Sequence, residues 1–158
     1  MAASALEHAG YGDEGRPLDR SRVGVVFANA LGGENRNESN QRVWAERNRA
    51  LAIEAGLPAS SGDAFVESMV EGAPKITEDT MPGELANVVS GRVANLLDLQ
   101  GPNHAMDAAC ASSLAALLDA CRLLHARQVD AMICGASDRT MDPATYAKFS
   151  AIGALSPS

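Results

Sequence analysis

The sequence predicts an α/β fold, a mostly parallel or mixed sheet flanked by helices, and three observations carry that expectation. Arg22-Val-Gly-Val-Val-Phe-Ala28 is a near-continuous apolar run rich in β-branched residues, the pattern of a strand covered on both faces. Val129 to Cys134 repeats the pattern. Between them, Leu114, Leu117, Leu118, Cys121 and Leu124 recur at the spacing of a helix with one apolar face. A short strand at Asn103 to Met106, this helix and the strand at Val129 to Cys134 follow in order, which makes a right-handed crossover between parallel strands the expected connection.

Taken in order, Ala2 to His8 is a weak helix that Gly10-Tyr11-Gly12 ends, and Asp13 to Asp19, with Gly15 and Pro17, reads as a loop. After the strand at 22–28, Gly32-Gly33 and the Asn-rich segment to Asn40 form a second loop. A glycine pair after a strand can cradle phosphate, but neither G-x-G-x-x-G nor Gly-Lys-Ser/Thr is present, which argues against a nucleotide site. Ser39 or Asn40 can cap a helix that runs to about Ala55 and stops at Gly56, with Pro58 beyond. Its charges, Arg42, Glu46, Arg47, Arg49 and Glu54, form a solvated face over Trp44 and Leu51. A second amphipathic segment, Ser61 to Glu71, places Phe65, Val66, Met69 and Val70 on one side and closes at Gly72-Ala73-Pro74.

Glu78, Asp79 and Glu84 cluster around Pro82. Paired carboxylates can do acid–base chemistry, yet a helix start favours negative charge and tolerates proline, so these acids read as helix-end electrostatics. The helix that follows is expected to bury Leu85, Val88, Val89, Val93 and Leu96, leaving Asn87 and Arg92 to find polar partners. Leu99-Gln-Gly-Pro102 is a turn, and Asn103 to Met106 is long enough for one strand. Cys121 and Cys134 are expected on buried faces, and His125 and Arg127 fall in a last helical turn, where cations suit the dipole. Ser137 to Pro143 is a polar loop, and Tyr146 to Leu155 an apolar turn or short helix.

Composition bounds the function. Apolar residues make up 46% and charged residues 21% of 158 residues, as in a packed domain. A net charge of −7 without a basic stripe argues against a nucleic-acid groove. No apolar stretch approaches a membrane span, and the N-terminus lacks the basic start and apolar core of an export signal. Cys110, Cys121 and Cys134 make no C-x-x-C pair, so no metal site and no cofactor is expected, and an odd thiol count suggests reduced cysteines in the cytoplasm.

The chemistry concentrates in Asp107-Ala-Ala-Cys110-Ala-Ser-Ser-Leu114-Ala-Ala-Leu117-Leu118, which places Cys110 where a strand hands over to a helix. The first amides of a helix lack intrahelical partners and carry the positive end of the dipole, an environment that makes a cysteine a better nucleophile. Ala108, Ala109, Ala111, Ser112 and Ser113 are small, so the backbone can turn sharply and an acyl group can approach the sulfur. The plainer alternative is a small core residue among alanines. His125 is not its base: fifteen residues of helix would be about 22 Å.

This run resembles the nucleophile motif of the β-ketoacyl synthases, the condensing enzymes of fatty-acid, polyunsaturated-fatty-acid and polyketide assembly. Gly83-Glu-Leu-Ala-Asn-Val-Val-Ser-Gly-Arg92 with Gly101-Pro102, Val129-Asp-Ala-Met-Ile-Cys-Gly-Ala136 and Phe149-Ser-Ala-Ile-Gly-Ala-Leu-Ser-Pro157 resemble further blocks of that family in the right order. The resemblance implies a thiolase-like layered fold and Cys110 as the catalytic residue, taking an acyl chain before decarboxylative condensation with a malonyl extender. The Cys110 amide would be one of two oxyanion donors. It implies an acyl carrier protein with phosphopantetheine-linked acyl chains as partner and a homodimer, with no nucleic acid and no membrane. Residues 1–158 are expected to be an incomplete N-terminal domain, without the usual first strand or the C-terminal half that carries two catalytic histidines. On that expectation the chain alone does not complete the condensation. Competing readings are a truncated or structural thiolase-fold protein without activity, a chain-length-factor type of partner, and a degradative thiolase or ketosynthase-III type of enzyme.

Overall fold

A computed structural model describes residues 1–11, 15–30, 34–138 and 142–156. The chain divides into two units, residues 1–32 with 85–138 and residues 33–84 with 139–158.

In the first unit a parallel sheet runs in the order β2-β1-β3, with β1 at Val23–Ala28, β2 at Asn103–Met106 and β3 at Ala131–Ala136. Val25 faces Asn103 and Ala28 faces Met106 across one edge of β1, while Val23 faces Ala131 across the other. The central strand is covered on both faces, as its uninterrupted apolar run demands. Val23 and Val25 pack with Ala94 and Leu99 on one side; Val26 and Ala28 pack with Ala116 and Ala120 on the other. These partners come from α5 (Ala86–Leu96) with the turn after it, and from α6 (Ser112–His125). The loop entering β2 lies close against β1: a Cβ on Gly101 would stand 2.5 Å from the Val23 carbonyl oxygen, so only glycine fits. α1 (Ala2–His8) ends before Gly10, whose φ of +83° suits glycine.

The apolar stripe expected on the buried face of α6 lies on its outer side, and that of α5 is split: Val93 packs against the Val23 and Val25 core, while the others face outward or sit half-buried. α6 buries Ser112, Ala116 and Ala120 and leaves Leu114 70% exposed, with Leu117, Leu118 and Leu124 also exposed. α5 buries Ser90 and Ala94 and exposes Leu85, Val89 and Leu96, while Val88 and Val93 are half-buried. Both helices carry two stripes of helical period, one large and one small, and the small one lets the helix approach the sheet closely. Periodicity alone does not say which is inner.

In the second unit α2 (Glu34–Glu54) pairs with α3 (Ala59–Glu71), followed by α4 (Thr80–Glu84); α7 (Pro143–Ala151) belongs to the same unit. α2 starts before the expected cap: Ser39 lies inside it, buried, and donates to Glu84 Oε1 at 2.6 Å. Glu84 is thereby a hydrogen-bond partner within the unit. Gly32 and Gly33 lie outside the described residues. α2 does stop at Gly56, which takes φ +94°. Trp44, Leu51 and Phe65 are exposed, and Trp44 carries the Arg47 guanidinium over its ring. Arg42 satisfies the end of α3, donating to the carbonyls of Val70, Ala73 and Pro74. The Asp142 carboxylate caps α7 by accepting from the Thr145 amide at 2.7 Å.

Candidate active site

β2 ends at Met106, and the chain needs five residues to turn before α6 begins at Ser112. Those residues are Asp107, Ala108 and a single 3-10 turn, Ala109–Ala111, so Cys110 stands at the middle of that turn, two residues ahead of the helix. It is exposed, as are Ala108, Ala109 and Ala111 around it. The location is the strand-to-helix handover read from the sequence.

The backbone makes the corner by placing Ala109 at φ +50°, a left-handed conformation that costs an ordinary L residue about 1–2 kcal/mol. Side chains hold it there. Asp107 Oδ1 accepts from the Ala109 amide at 2.9 Å. The Ser112 hydroxyl donates to the Ala109 carbonyl at 2.6 Å and accepts from the Ala108 amide at 2.8 Å. Ser112 is 6% exposed, so these bonds are sheltered from water. Sequence reasoning treated Ser112 only as a small neighbour; the preference of Ser and Asp for helix entries and tight turns is the signal that points to both residues. Beyond the sheet edge, Asn29 ties the strand ends together, its amide reaching the Met106 carbonyl and its side-chain Nδ2 the Ser137 carbonyl at 3.1 Å.

The histidines stand apart from the elbow. His125 ends α6, fourteen helical residues on, or about 20 Å away. His104 on β2 is hydrogen-bonded through Nε2 to Asp119 Oδ2 of α6 at 2.9 Å. His8 ends α1. Cys121 and Cys134, expected on buried faces, are both exposed. Cys121 follows the inner Ala120 and turns outward with the leucines, while Cys134 lies on the edge strand β3. Cys134 keeps enough cover that burial pushes its thiol above the ordinary 9.0, with Cys121 adding in the same direction. Among the described residues no group of three or more His, Cys, Asp or Glu could hold a metal ion, and no helix is long and apolar enough to cross a membrane.

The family described as "Beta-ketoacyl synthase, N-terminal domain" matches residues 1–158. The chain is 31% identical over 155 residues to 3-oxoacyl-(acyl-carrier-protein) synthase 2 of Coxiella burnetii, covering 98% of this chain and 31% of that protein. It is 34% identical over 119 residues to the mycoketide-CoA synthase of Mycobacterium tuberculosis, covering 72% of this chain and 3% of that one. A polyunsaturated fatty acid synthase component of a Thraustochytrium species is 31% identical over 147 residues, covering 92% of this chain and 5% of its own length. A solved structure described as "The ishigamide ketosynthase/chain length factor" superposes with a TM-score of 0.56 at 21% identity, over 100% of this chain and 38% of that chain, a likeness of fold. The chain thus spans about a third of the length of the Coxiella relative.

Proposed function

The chain belongs to the β-ketoacyl synthase family, and from that premise we propose that Cys110 is the nucleophile of a condensing acyltransferase of fatty-acid or polyketide synthesis. The observation that carries the reading is the exposed Cys110 on the turn that opens into α6. The sulfur attacks the carbonyl of an acyl chain held as a phosphopantetheine thioester on an acyl carrier protein. A new C–S bond forms, the carrier thiolate leaves, and negative charge on the tetrahedral oxygen is met by two amides, that of Cys110 and one supplied from outside these residues. In the complete enzyme a malonyl extender loses carbon dioxide, its carbanion attacks the acyl-Cys110 carbonyl, a C–C bond forms and the Cys110 thiolate is released. We place residues 1–158 in the N-terminal, nucleophile-bearing part of such an enzyme, a homodimer of the cytoplasm when whole, with the decarboxylating histidines supplied from outside these residues. Its exposed leucine face on α6 is in keeping with that placement.

The test is acylation by an acyl-pantetheine thioester, followed by site mapping. The acyl group is expected on Cys110, with Cys121 and Cys134 unmodified, and is lost in Cys110→Ser. Equal labelling, or equal resistance, of the three thiols overturns the reading.

A further inference from the structure

We infer that Ser112, supported by Asp107, is a positioning residue that aims the backbone amide of Cys110; the inference rests on the reading of Cys110 as the nucleophile. The two peptide planes that flank the Ala109 Cα are each pinned by a side chain. Asp107 holds the plane before it, through the Ala109 amide. Ser112 holds the plane after it, gripping the Ala109 carbonyl with its hydroxyl and again with its own amide. That second plane also contains the amide of Cys110. A trans peptide is rigid and its C=O and N–H point in opposite directions, so fixing the Ala109 oxygen fixes the direction of the Cys110 N–H.

Without these grips only the backbone bond from the Ala111 amide to the Ala108 carbonyl is left to hold Ala109 at φ +50°, although a right-handed or extended backbone is better for alanine. The turn would relax, and the Cys110 amide would swing away from an oxyanion placed above the sulfur. Burial makes the Ser112 grip dependable, since water does not compete freely for the hydroxyl of a residue 6% exposed. The consequence is specific to the chemistry. Acyl transfer passes through an oxyanion and needs the aimed amide; alkylation by iodoacetamide forms no oxyanion and does not.

The experiment compares the two reactions at Cys110. In Ser112→Ala, acylation by an acyl-pantetheine thioester is expected to fall by about tenfold to a hundredfold, while alkylation by iodoacetamide falls far less. Ser112→Thr, which keeps the hydroxyl, is expected to restore acylation. Unchanged acylation in Ser112→Ala, an equal fall in both reactions, or failure of the threonine variant to recover overturns the inference. Should Ser112→Ala also quicken alkylation of Cys121 and Cys134, the sign of a loosened fold, Asp107→Ala decides, because Asp107 is exposed and grips the same Ala109. Lower acylation with unchanged alkylation then upholds the inference, and unchanged acylation overturns it. Failure of the nucleophile reading shows separately, in the unaltered chain, as acylation that does not single out Cys110.

Discussion

Arg22 and Asp130 meet along both arms of the guanidinium, Nε to Oδ2 and Nη2 to Oδ1, each at 2.7 Å, and the Asp130 amide closes the contact on the Arg22 carbonyl. The pair joins the entrance of β1 to the entrance of β3. The hydrogen bond from Arg22 outweighs desolvation and holds the Asp130 carboxyl below its ordinary 3.8. A carboxyl whose folded value is depressed stabilises the fold above its unfolded value, and that contribution is lost as pH falls through the folded value. Asp130→Asn is therefore expected to unfold at lower urea than the unaltered chain at pH 7. The gap should shrink once the pH is taken below 3.8. A gap that widens in acid contradicts the assignment. The pair is exposed, so its effect is modest.

Which stripe of α6 faces the sheet can be decided by stability. Ala116 is fully buried against β1, and Ala116→Leu is expected to cost about 1–3 kcal/mol through overpacking. Leu114→Glu on the opposite side is expected to stay within about 0.5 kcal/mol. Urea unfolding of the two variants checks both, and the reverse order would restore the leucine face to the interior.

Gly101→Ala should be among the most damaging single changes. Its methyl group would meet the backbone of Val23 and the amide of Gly24, and neither can move without breaking the pairing of the central strand. A loss of about 1–3 kcal/mol or more is expected in denaturant titration.

Arg42→Met keeps the aliphatic stem and removes the donors to Val70, Ala73 and Pro74. The carbonyls at the end of α3 lose a charged partner, and about 1–2 kcal/mol is expected to go with it. Amide exchange should quicken first in the last turn of α3, before the rest of the helix.

Cys134 should alkylate more slowly at neutral pH than an unhindered thiol, because burial holds it above 9.0 and keeps it protonated. Its rate, followed by site-resolved mass spectrometry, should climb steadily with pH and keep climbing beyond 9.0, where an ordinary thiol has begun to level off. Reaction at pH 7 as fast as that of a free thiol would contradict this.

The central strand was legible because its signal is composition over a short run: Val23 to Ala28 contains nothing that could face water, and two helices cover it, whereas the run expected as a buried strand at Val129 to Cys134 forms a partly exposed edge strand at Ala131–Ala136. The handover at Cys110 was legible too, since a strand, small residues and a helical period follow one another there. The inner face of α6 was misread because hydrophobicity ranks leucine above alanine, whereas close packing on a sheet rewards the smaller side chain; on α5 Val93 does pack inward, beside Ala94. The start of α2 was misread for a different reason. Ser39 has a capping side chain, but its hydroxyl is spent on Glu84, forty-five residues away, a partner that no local rule can supply. At Ala109 the sequence offers only the general preference of Ser112 and Asp107 for tight turns; which backbone groups they brace follows from the strained φ, which belongs to the folded backbone alone.

The middle position of β1 has a consequence for biosynthesis. The ribosome releases this strand well before both of its neighbours, at 103–106 and 131–136. Until then a sticky valine-rich ribbon waits with both edges open, so the nascent polypeptide should depend on chaperone shelter and assemble its sheet slowly, in a late, concerted step.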